Sequence, residues 1–82
     1  NNTTMTLTTE ELREEIYTDL IQEFYYLTHE EITDMVDMTM VINWMEDGNV
    51  EKIGKDTYIE QTTQWRKKFT MSELIRFYLK EF

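Results

Sequence analysis

Leu27-Thr28-His29-Glu30-Glu31-Ile32 reads apolar-Thr-x-x-Glu-apolar, and the same order recurs upstream as Leu7-Thr8-Thr9-Glu10-Glu11-Leu12 and downstream as Phe69-Thr70-Met71-Ser72-Glu73-Leu74. In each copy the Thr hydroxyl can accept from the backbone N–H three residues on, while the Glu carboxylate reaches back to the Thr N–H; this is the capping box. The flanking apolar pairs are placed as hydrophobic staples. Three helix starts are therefore expected, at 8, 28 and 70. Each rests on a threonine whose loss costs roughly 0.5–2 kcal/mol.

Working outward, Leu12, Ile16, Leu20, Phe24 and Leu27 recur at helical spacing with Ile21 beside them, which predicts a first helix from Thr8 to about Tyr26. It ends where the second box begins, so the two helices must fold back sharply. The second helix carries Ile32, Met35 and Val36 on one face. From Met38 to Met45 the chain is almost continuously apolar, and periodicity alone does not separate helix from strand there. The lack of a breaker favours helix to about Glu46, with Met35 and Met45 as core fillers. Asp47-Gly48-Asn49 is a stop. Two β-prone runs, Val50–Ile53 and Thr57–Glu60, flank Gly54-Lys55-Asp56 and read as a hairpin. Thr62 or Thr63 can cap a helical piece through Gln64–Lys68, meeting a last helix that carries Met71, Leu74, Ile75, Tyr78 and Phe82 along one side. The expected fold is mainly α with a small β-hairpin, in the order α-α-ββ-α. One domain should cover 1–82, divided into a flexible tail (1–6), an acidic helical hairpin (8–46), a β-hairpin (50–61) and a C-terminal helical segment (63–82).

The sixteen residues from Trp44 to Ile59, Trp44-Met45-Glu46-Asp47-Gly48-Asn49-Val50-Glu51-Lys52-Ile53-Gly54-Lys55-Asp56-Thr57-Tyr58-Ile59, resemble the passage from recognition helix into wing in winged-helix domains. The resemblance implies a winged-helix-like domain in which the first two helices take the helix-turn-helix roles.

Charge is distributed unevenly. The chain has net charge −9. Residues 1–47 hold twelve acids and one base, Arg13, whereas residues 48–82 hold five acids and seven bases. Glu11, Glu15, Asp19 and Glu23 repeat at i, i+4, as do Glu10–Glu14 and Glu30–Asp34. Each such like-charge pair costs a helix roughly 0.2–0.5 kcal/mol, and only the acids near a helix start are compensated by the macrodipole. A local rule broken without local compensation points to a functional demand, although acid runs also serve simply as solvated faces. The candidate partner-binding face comprises Glu11, Glu15, Asp19, Glu23, Glu30, Asp34 and Asp37. It suits a basic groove that otherwise holds a nucleic-acid backbone. Carboxylates one turn apart stand about 6 Å from each other, against one charge per roughly 1.7 Å in duplex DNA, so two adjacent acidic helices imitate it better than one.

Nucleic acid itself is not the expected partner, because the second helix has no Lys or Arg to meet phosphates. The alternative contacts are Lys52, Lys55, Arg66, Lys67 and Lys68, with Trp65 or Tyr58 stacking; five scattered bases make a weak footprint, and intramolecular neutralisation of the acidic half is the preferred account of them. Met38, Met40, Val41 and Trp44 are either core or an apolar interface for a homodimer or a target.

Catalytic chemistry is poorly represented. There is no cysteine, one histidine (His29) and one serine (Ser72). HExxH, P-loop, GxGxxG and EF-hand spacings are missing. No enzyme activity, metal or cofactor is expected. Nor is a membrane span, for no run of eighteen apolar residues exists. The chain has no alanine, no proline and two glycines, a bias that fits AT-rich coding sequence. Together these features lead to the expectation of a small acidic inhibitor or adaptor of phage or mobile-element origin, of the anti-CRISPR or anti-restriction type, acting in the host cytoplasm. The alternative expectation is a dimeric winged-helix transcriptional regulator.

Overall fold

The computed structural model describes residues 7–82; the expected tail at 1–6 lies outside the described residues. The elements are α1 (Thr9–Glu23), α2 (His29–Glu46), β1 (Val50–Gly54), β2 (Thr57–Glu60), β3 (Lys68–Phe69) and α3 (Met71–Glu81). All three capping boxes form. The Thr8, Thr28 and Thr70 N–H groups donate to Glu11, Glu31 and Glu73 at 2.9, 2.8 and 2.9 Å. The return bonds from the Glu N–H groups to the Thr hydroxyls are 3.1, 3.2 and 3.2 Å. The apolar stretch through Met45 is helical, as the missing breaker suggested. Gly48 then adopts φ 80°, the left-handed backbone that ends α2 and turns the chain into β1.

Helix α1 stops at Glu23, three residues short of Tyr26. Thr28 must be extended (ψ 164°) to cap α2, so the reversal has to be made by residues 24–27. Phe24 leaves helical geometry and accepts a turn hydrogen bond from the Leu27 N–H at 3.1 Å. Phe24 and Leu27 pack on the core, and Tyr25 and Tyr26 are left in solvent.

The expected helical piece at 64–68 is replaced by bends and a third strand. The antiparallel sheet runs β1-β2-β3, with Tyr58 opposite Phe69 and Ile59 opposite Lys68. The cause is Glu60. Its carboxylate accepts from the N–H and hydroxyl groups of both Thr62 and Thr63, so neither threonine caps a helix. Arg66 takes φ 49°, which no helix continues through. The Glu60 N–H closes the loop on the Lys67 carbonyl at 2.9 Å.

The core joins α2 (Ile32, Val36, Met40, Val41, Trp44) to the sheet (Val50, Tyr58) and α3 (Leu74, Ile75, Tyr78). Trp44 and Tyr78 meet edge to face with centroids 3.9 Å apart. Met40, rather than Met35 or Met45, is the fully enclosed methionine; Met35 is half-buried and Met45 exposed. Helix α1 is the outermost layer. Its only buried residue is Thr9, and it packs through the half-buried Ile16, Tyr17, Leu20 and Phe24. No helix among the described residues is long and apolar enough to cross a membrane.

Candidate docking surface

Because α1 lies outside the core, much of its circumference faces solvent, and that is where the acids are. Glu11, Glu15, Asp19 and Glu23 are all exposed, as are Glu10 and Glu14. On α2, Glu30 and Asp34 are exposed. Glu11 is anionic but engaged: the Thr8 backbone N–H, and then its hydroxyl, hold the carboxyl below its ordinary value. Glu15, Asp19 and Glu23 make no ion pair among the described residues.

Asp37 does not belong to this open face. Arg13 reaches across from α1 to form an ion pair with it, both side chains about one-quarter exposed. The same guanidinium lies 4.0 Å from the Met40 sulfur. The sole base of the acidic half is thus spent at the seam between α1 and α2, where half-burial makes an unpaired carboxylate costly. Beside this pair, Arg13, Glu14, Tyr17, His29 and Thr33 line an open cleft of about 500 Å³ floored by Val36. The Tyr17 hydroxyl is 2.7 Å from His29 Nδ1. That pairing ties the start of α2 to α1 beside the cleft. No cluster of metal-ligating side chains exists among the described residues.

The basic half makes no ion pair with these acids among the described residues. Lys52, Lys55, Arg66, Lys67 and Lys68 are exposed around the sheet. Arg66 stands 3.9 Å from Glu51 on β1, and Lys52 lies 5.7 Å from the Tyr58 ring centre. Among the described residues no base from 48–82 lies in ion-pair range of an α1 or α2 carboxylate.

Of the four residues expected as core or interface, Met40, Val41 and Trp44 are buried and only Met38, at 53% exposure, is accessible. The apolar-interface reading therefore fails for three of them, since α2 is the central helix and that side is consumed by β1 and α3. Two features escaped the sequence. Tyr25 and Tyr26 project at the α1–α2 corner, 82% and 69% exposed, with rings edge to face at 5.6 Å. Glu60 is completely buried and also accepts from the Tyr78 hydroxyl at 2.9 Å. The neighbouring Thr62-Thr63 was the available signal for such a carboxylate. No protein-family model, curated protein or solved structure matches the chain, so its own residues carry the functional argument.

Proposed function

We propose that this protein is a non-enzymatic inhibitor or adaptor that sets the exposed carboxylates of α1 and the start of α2 into a basic groove of a nucleic-acid-handling protein. A phage or mobile-element origin and an anti-CRISPR or anti-restriction type of action, in the host cytoplasm, fit that role. One observation supports it above the others: Glu15, Asp19 and Glu23 stand exposed along an outer helix with no base paired to them among the described residues. Repulsion along α1 is retained where a few lysines would have relieved it. The exposed Tyr25 and Tyr26 at the end of that helix add aromatic contact area of the kind that dominates binding energy.

The test is capture from a low-GC bacterial lysate on the wild type and on a Glu15→Lys, Asp19→Lys, Glu23→Lys variant, with unfolding curves to show that both fold. The wild type should retain a nucleic-acid-binding protein that moderate salt releases, and the variant should not. Equal retention by the two would rule the reading out.

The second reading is a winged-helix-like DNA regulator, with the β1–β2 hairpin as wing. It is favoured by the exposure of Lys52, Lys55, Arg66, Lys67 and Lys68 beside a Trp65 that is 70% exposed. A homodimer would accompany it. Against it, α2 offers phosphates no Lys or Arg. Low-salt gel shifts with duplex DNA should show no complex at micromolar protein; a specific complex with a steep salt slope would transfer the argument to this reading.

A further inference from the structure

Helix α2 is apolar on two sides, and the core uses only one. Met38 and Ile42 are 53% and 50% exposed, and Met45 is 36% exposed. At 100° per residue these three positions fall within about 60° of arc, and they run roughly 10 Å along the axis. Half-buried Met35 prolongs the line by one turn. The spacing 35, 38, 42, 45 alternates three and four, which is the seam a second helix packs against. The residues are also apt. Methionine adapts its shape to a partner at little cost, and exposed apolar residues aligned in this way differ from the scattered ones found on any surface.

The flanking charge identifies what covers the seam. Asp34 and Glu46, both exposed, border it on opposite sides near its two ends. They are twelve residues, or about 18 Å, apart. Helix α2 carries no Lys or Arg. A second copy of this chain would therefore set acids against acids in either direction, with a net charge of −9 on each copy. We infer that the Met38–Ile42–Met45 ridge docks a basic amphipathic helix of another protein, with apolar residues along the ridge and Lys or Arg toward Asp34 and Glu46. The ridge itself uses none of the carboxylates of the proposed acidic face, and its flanks share only Asp34 with that reading, so it does not depend on it.

The probe is a synthetic peptide of about 14 residues, long enough to span the two acids, with leucines on one helical face and lysines elsewhere. A scrambled peptide of the same composition keeps the charge and loses the face. The full chain should bind the amphipathic peptide at least tenfold more tightly than the scrambled one. The methyl resonances of Met38 and Met45 should shift on titration. Ile42→Asp should weaken binding at least tenfold, although its extra negative charge would favour a cationic ligand. Met38→Ser provides a second variant should Ile42→Asp unfold. Equal binding of both peptides, lost on reversing Glu15, Asp19 and Glu23 but not in Ile42→Asp, would overturn this inference and leave the α1 proposal standing. A wild-type dimer on sizing chromatography that Ile42→Asp converts to monomer would also overturn it, by showing that a second copy covers the ridge.

Discussion

Glu60 shows how one side chain shapes a segment that propensity assigns otherwise. Burial pushes its carboxyl up, but hydrogen bonds from Thr62, Tyr78 and Thr63 outweigh that and hold it below its ordinary value near 4.5. Burial, and then the facing Glu60, push the Tyr78 phenol up from its ordinary value. Glu60→Ala would strand these donors and should lower stability to urea by roughly 1–3 kcal/mol. Folded Glu60 binds its proton less tightly than unfolded Glu60, so its stabilisation is fully present above pH 4.5 and is lost as pH falls through the lower folded value. In urea titrations, Glu60→Gln should therefore flatten the fall in stability on the acid side of pH 4.5 relative to wild type. The capping threonines were legible because a box is satisfied within four residues. Glu60 was not, because its burial brings it against Tyr78, eighteen residues away, although the adjacent Thr62 and Thr63 were a local signal for it.

At the scale of elements, the three helix starts and the end of α2 at Glu46 were readable, while the end of α1, the segment after Thr62 and the coverage of each face were not. α1 stops early because the reversal before Thr28 needs residues, and β3 exists only because a side-chain-anchored loop brings Lys68 and Phe69 beside β2. Periodicity marks the apolar sides of α2 but not which of them the fold covers; hence Met40, Val41 and Trp44 lie inside and Met38 outside. For α1 the energetic consequence is specific. Asp19 stands one turn from both Glu15 and Glu23, and each repulsion costs roughly 0.2–0.5 kcal/mol. Asp19→Lys removes both repulsions and turns both pairs attractive, and should stabilise the protein by about 0.8–2 kcal/mol at low salt. Thermal unfolding of the wild type should shift upward as sodium chloride screens α1, and the variant should lose most of that shift.

Over the whole molecule, the asymmetry seen along the sequence survives in three dimensions. Arg13 reaches Asp37 and Arg66 approaches Glu51, and no ion pair among the described residues joins the basic half to the two-helix layer. The exposure of the α1 acids was legible for that reason: an outer helix displays its acids wherever it docks. Asp37 was the exception, because its neutralisation requires α1 to lie across α2. The same layering has a dynamic consequence. α1 anchors no fully buried apolar side chain and is tied at its start to the end of α3 by one hydrogen bond, from the Thr9 N–H to the Phe82 carbonyl at 3.3 Å. Such an element opens before the rest. Deuterium should enter the amides of Leu12–Leu20 well ahead of those of Val36–Trp44, and a ligand seated on α1 would slow that uptake by supplying the second wall the helix lacks.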